Sequence, residues 1–125
     1  MIYLDTHAVV WLYAGETDKF PARIREIFEK EEIMISPIVL LEIKYLNEIK
    51  KINAEPTLMF ENLSSSMGLK LCPLPFLRII TEAIQQNWTR DPFDRIITAT
   101  AIAQNALLLT RDQSILDNYT KAIWE

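Results

Sequence analysis

The chain has one cysteine, one histidine, two glycines and no long apolar run. Each scarcity excludes something. A lone Cys72 forms no internal disulfide, which suits a reducing cytosol, and beside Pro73 it reads as a small core residue. One cysteine and one histidine rule out a zinc site built on Cys/His clusters. Two glycines and six prolines in 125 residues are too few for a linker-rich or disordered chain. No stretch approaches the ~20 apolar residues of a membrane span. Asp5 and His7 interrupt the apolar start, so no secretory leader is expected. Positive charge is also short. The formal net charge of −4 argues against a broad basic footprint on duplex DNA. It leaves open a nucleic-acid substrate met locally, through a metal ion and a few arginines.

What is present is apolar: half of the residues are hydrophobic, enough for one real core. The expected organisation is a single α/β domain over residues 1–125. Short apolar runs read as strands at Met1–Leu4, Ile33–Ile35, Leu69–Leu71 and Ala106–Leu109, with Ala122–Trp124 as an edge strand. Helices are expected between them. His7–Ala14 is apolar nearly all round and is closed by Gly15. A second helix opens at Pro21, with Ile24, Ile27 and Phe28 inward. Ser36-Pro37 starts a third, with a hydroxyl cap and then proline. Its inner face is read as Ile38, Leu41, Tyr45, Leu46 and Ile49. Pro56 starts a fourth, with Leu58, Met59, Leu63 and Met67 inward, and Phe76–Trp88 forms a fifth. Strands separated by helices mean a short parallel sheet of four to five strands, flanked by helices on both sides.

The stretch RDPFDRIITAT, residues 90–100, orders the rest. Asp91 caps a helix, Pro92 takes its first position, and Asp94 falls in its first turn. The helix dipole alone explains acids at such a place. Glu42 has no such explanation. It lies on the apolar side of its helix, where a charge must be paired, protonated or on a metal. Asp5 ends the first strand. Asp112 follows the fourth and caps a short helix, with Asp117 as a nearby substitute. Ligands of open parallel sheets bind beyond the carboxyl ends of the strands, at a switch point. Four carboxylates therefore converge if these elements are neighbours. Two like charges about 4 Å apart repel by ~4 kcal/mol at an effective dielectric near 20. A hard divalent ion with oxygen ligands, Mg²⁺ or Mn²⁺, relieves that repulsion. The chemistry that follows is phosphodiester hydrolysis by water.

Four strings carry a resemblance over the whole chain: YLDTHAVVW, SPIVLLEI, RDPFDRIITATA and LLLTRD. The chain resembles PIN-domain nucleases, and most of all the VapC-type toxins of toxin–antitoxin modules. The resemblance implies a PIN-like fold and metal-binding, catalytic acids at Asp5, Glu42, Asp94 and Asp112. Asp91 then matches a further acid of this subgroup, either a cap or a neighbour of the metal site. Thr6, Ser36 and Thr110 match hydroxyls that orient the acids or a metal-bound water. It also implies Mg²⁺-dependent cleavage of RNA, a homodimer, and an antitoxin that blocks the site. Two departures from the subgroup stand out. Leu41 replaces an aromatic residue before the middle glutamate, and Lys50-Lys51-Ile52-Asn53 replaces a glycine-containing turn.

Arg90, Arg95 and Arg111 flank the acids; each either grips phosphate or balances acid charge, and Arg95 is counted with the substrate residues. His7 is read as structural or substrate-touching rather than as a base. Trp11, Trp88 and Trp124 stack on bases or pack in the core. Tyr45, Leu46, Met59 and Phe60 are the candidate apolar surface for an antitoxin. Two rival functions remain. An acidic-pocket phosphatase of the haloacid-dehalogenase type wants an Asp where His7 stands, and a receiver domain wants paired acids after the first strand. A non-catalytic module would hold only a structural ion. Neither calls for a buried acid at Glu42.

Overall fold

A computed structural model describes residues 1–125. Strand β1 (Ile2–Leu4) is fully buried and lies at the centre of a five-stranded parallel sheet. On one side it pairs with β2 (Ile33–Ile35), which pairs with the short edge strand β3 (Lys70–Leu71). On the other side it pairs with β4 (Leu107–Leu109), which pairs with β5 (Ala122–Ile123). The order is β3-β2-β1-β4-β5. After β1 the chain leaves toward β2, and after β4 it leaves toward β5. The two paths diverge beyond the carboxyl ends of β1 and β4, and that divergence is the switch point.

Seven α-helices fill the connections. Helix α1 (Thr6–Tyr13) buries Ala8, Val9 and Leu12. Helix α2 (Ala22–Lys30) buries Ile24 and turns its charges outward. Helix α3 (Ile38–Glu48) follows β2, and helix α4 (Pro56–Met67) follows α3, closed by Gly68 in a left-handed conformation (φ 71°). Helix α5 (Phe76–Ile84) packs on α6 (Pro92–Ala103), and α7 (Gln113–Asn118) joins β4 to β5. Cys72 is buried and unpaired, as its setting beside Pro73 implied.

Helix α3 differs from its expected orientation. Val39 and Ile43 face the core, whereas Leu41, Tyr45 and Ile49 are exposed. Residues 38–41 are all apolar, so two stripes compete, and the pair spaced i, i+4 from Val39 faces inward. Ser36 does not cap the helix through its hydroxyl; Pro37 holds that position without a side-chain bond. Leu58 is exposed rather than inward, and Met59 is fully buried, which removes it from any partner surface. Helix α5 stops at Ile84, four residues short of Trp88. Arg95 donates from Nε and Nη2 to the carbonyl of Ala83 and from Nη2 to that of Ile84, which satisfies the helix end there. Trp88 then turns back to donate to Gln86 Oε1 at 2.9 Å.

Candidate active site

At the switch point a cavity of about 290 Å³ opens, and Asp5, Glu42, Asp91, Asp94 and Asp112 all line it. They come from four separate places in the chain. Asp5 follows β1, and its amide donates to Leu109 O on β4 at 3.0 Å, so the sheet itself sets its position. Its Oδ1 accepts from the Thr6 amide at 2.7 Å, and its Oδ2 accepts from Thr110 Oγ1 at 2.6 Å. Burial raises the pKa of Asp5, against the opposing pull of these two hydrogen bonds. Thr110 also accepts from the Asp112 amide at 3.0 Å, which ties the loop after β4 to the end of β1.

Glu42 extends from α3 and is only partly exposed. Thr6 Oγ1 donates to its Oε1, so one threonine links two of the acids: Asp5 through its amide, Glu42 through its hydroxyl. Burial again raises the carboxyl pKa, with the Thr6 bond opposing it and the charges of Asp5 and Asp91 adding to it. Asp91 caps α6, accepting from the amides of Phe93 (2.8 Å) and Asp94 (3.2 Å). Asp94, one turn inside, is pushed up to about 7, first by burial and then by the charges of Asp91, Asp5, Asp112 and Glu42. Asp112 caps α7 through Ile115 N at 3.0 Å. Asp117 accepts instead from Gln113 Nε2 and does not line the cavity.

A PIN domain family model matches residues 2–121. The chain belongs to the PIN domain family. Its fold is also similar to solved structures. One is VapBC2 from Rickettsia felis bound to a DNA fragment from their promoter, with 25% identity, TM-score 0.62, and coverage of 94% of this chain and 92% of that one. Another is VapBC-1 from nontypeable Haemophilus influenzae, with 18% identity, TM-score 0.65, and coverage of 100% and 97%. The likeness to VapC-type proteins drawn from the four sequence strings thus extends over the whole fold. No curated protein sequence matches the chain.

In this PIN domain two residues expected near the acids lie elsewhere. Ser36 is buried beside a separate apolar groove with Leu41, Phe76 and Ile79. It does not line the acid cavity. Arg95 donates to the carbonyls at the end of α5 and does not line the cavity. Arg90 likewise donates to Asn87 O. The cation that does line the cavity is Arg111, with His7, Trp11 and Trp124. The sequence pointed to Arg95 ahead of Arg111 as the substrate arginine, and it is Arg111 that lines the cavity. Only the pairing of β4 with β5, which carries Trp124 alongside, separates the two.

The donors in the cavity suit a hard divalent cation. They are mainly carboxylate oxygens, beside the Thr110 hydroxyl and the His7 imidazole and with no thiolate, and each carboxylate oxygen that accepts one hydrogen bond keeps a further lone pair. Burial first, and then the neighbouring acid charges, raise the Asp94 pKa, and a bound cation opposes both. As placed, no three acids form a closed chelating set.

Proposed function

We propose that this PIN domain is a metal-dependent endoribonuclease, the toxin of a toxin–antitoxin pair. The observation that carries the reading is the meeting of Asp5, Glu42, Asp94 and Asp112 around one cavity at the switch point. Those four acids would hold Mg²⁺ or Mn²⁺. When bound, the ion neutralises the cluster, polarises a phosphoryl oxygen and lowers the pKa of the attacking water. The protein's part is to hold the acids. Thr110 fixes one oxygen of Asp5, Thr6 fixes one oxygen of Glu42, and the α6 start presents Asp94. Asp91 serves chiefly as the cap that starts α6 at the right place. No covalent enzyme intermediate is required.

The partner reading rests on the likeness to VapBC complexes and on exposed apolar side chains. Leu41 and Tyr45 on α3 and Ile49 just past its end, with Phe76, Leu77 and Ile84 on α5, are uncovered in the single chain. An antitoxin and a second copy of this chain, as a homodimer, are the proposed cover. No helix is long and apolar enough to cross a membrane. A cytoplasmic setting agrees with the unpaired Cys72.

The test is incubation of the purified protein with pooled cellular RNA, with Mg²⁺ or Mn²⁺, with chelator, and as Asp94→Asn. Cleavage that needs the ion and is lost in the variant is expected. Cleavage indifferent to chelator, or a phosphoenzyme trapped at Asp5, would overturn the reading. The phosphatase alternative is further weakened by His7, which stands exposed where that chemistry needs an aspartate.

A further inference from the structure

Arg111 lines a cavity walled by acids, yet it forms no ion pair with any of them. Two indoles hold it instead. Its guanidinium carbon lies 5.5 Å from the Trp11 ring centre and 5.4 Å from that of Trp124. The two rings meet at 72° with centroids 5.7 Å apart, so the guanidinium sits in the angle between them. This corner is anchored. Trp11 and Trp124 both pack on Phe20, which is 1% exposed. Aromatic faces attract a guanidinium without consuming its N–H donors. Arg111 itself is exposed and lines the cavity, so its N–H donors are left free for a ligand there.

We infer that Arg111, shelved on Trp11 and Trp124, binds a backbone phosphate of the RNA substrate beside the acid cluster. The inference rests on the nuclease reading above and deepens it. A flat fork matches phosphate oxygens two at a time, which a lysine point charge does not. Lys19 also lies over Trp11, at 5.2 Å, but it is paired with Glu16 at 3.3 Å and is not equivalent. Arg111 follows Thr110 and precedes Asp112, so its backbone is tied to the same loop that sets Asp5. A phosphate gripped there is placed in register with the acids. Without it, the substrate meets a cavity whose net charge repels it.

The test compares cleavage by the full chain and by Arg111→Gln and Arg111→Lys. It adds binding of a fluorescein-labelled single-stranded RNA 20-mer in an Asp94→Asn background. Arg111→Gln should raise KM about tenfold with kcat within about threefold, and Arg111→Lys should fall between. In the Asp94→Asn background the same change should weaken binding about tenfold. It should also flatten the slope of log K against log salt by about 0.7, the loss of one phosphate contact on a single strand. Unchanged KM, affinity and salt slope in a folded Arg111→Gln would overturn the assignment while leaving the nuclease reading intact. A lower melting temperature or shifted pH profile with the salt slope unchanged would also overturn it, since Arg111 would then only balance the acids. Failure of the unaltered protein to cleave or bind RNA would bring down both.

Discussion

Thr110 Oγ1 donates to Asp5 Oδ2 at 2.6 Å, joining residues 105 positions apart across the β1–β4 seam. The same hydroxyl accepts from the Asp112 amide. Thr110→Val keeps the shape but strands a buried carboxylate oxygen and an amide. A loss of about 1–3 kcal/mol in unfolding free energy is expected by denaturant titration. Nuclease activity should fall at least tenfold, because Asp5 is no longer oriented. Thr110→Ser, which keeps the hydroxyl, should recover most of both. Equal stability in the serine and valine variants would show that the bond does not hold the site.

The carboxyl of Asp94 has its pKa raised from 3.8 to about 7 in the folded protein. Its protonated form is therefore the one that folding favours. In metal-free protein this contribution is complete below about pH 3.8 and is lost as pH rises through about 7. Asp5 and Glu42 are shifted in the same direction. Thermal melts in chelator should drop by a few degrees between pH 5 and pH 8. Mg²⁺ should restore more at pH 8 than at pH 5, because it binds the ionised acids. Metal-free Asp94→Asn should melt above the unaltered protein at pH 8. A melting temperature in chelator that is flat with pH would contradict the raised pKa values that burial and the neighbouring charges give these acids.

Much of this arrangement is readable in the chain itself. Asp5, Asp94 and Asp112 stand at strand ends and helix starts, where local signals are strong. Glu42 is conspicuous because a carboxylate inside an apolar stripe is costly. The orientation of α3 was not readable, since four consecutive apolar residues support two faces. Nor was the role of Arg95. Its distance from Asp94 in sequence is one residue, but a helix turns adjacent side chains about 100° apart, and Arg95 points at α5. The corner of Trp11, Trp124 and Arg111 needs the pairing of β4 with β5, which no local pattern specifies.

Arg95→Met separates structure from chemistry. The guanidinium satisfies the last carbonyls of α5, so its removal should cost about 1–2 kcal/mol of stability. Activity per folded molecule, measured well below the melting temperature, should stay within about twofold, with KM unchanged. A rise in KM comparable with that expected for Arg111→Gln would return Arg95 to the substrate path.

The turn after α3 supplies the last prediction. Lys50 lies at φ 62°, the left-handed region that favours glycine. Its side chain is exposed, and it makes no ion pair. A lysine there is strained by about 1–2 kcal/mol, while glycine costs part of that in unfolded-state freedom. Lys50→Gly should therefore stabilise the protein by about 0.5–1 kcal/mol in denaturant titration. Lys50→Ala, which keeps the Cβ, should give no gain. If both variants behave alike, charge rather than backbone strain governs the position. Because Lys50 and Lys51 also line a shallow surface hollow with Asn47 and Asn53, cleavage kinetics of Lys50→Gly serve as a control. An unchanged KM would confine the effect to the fold.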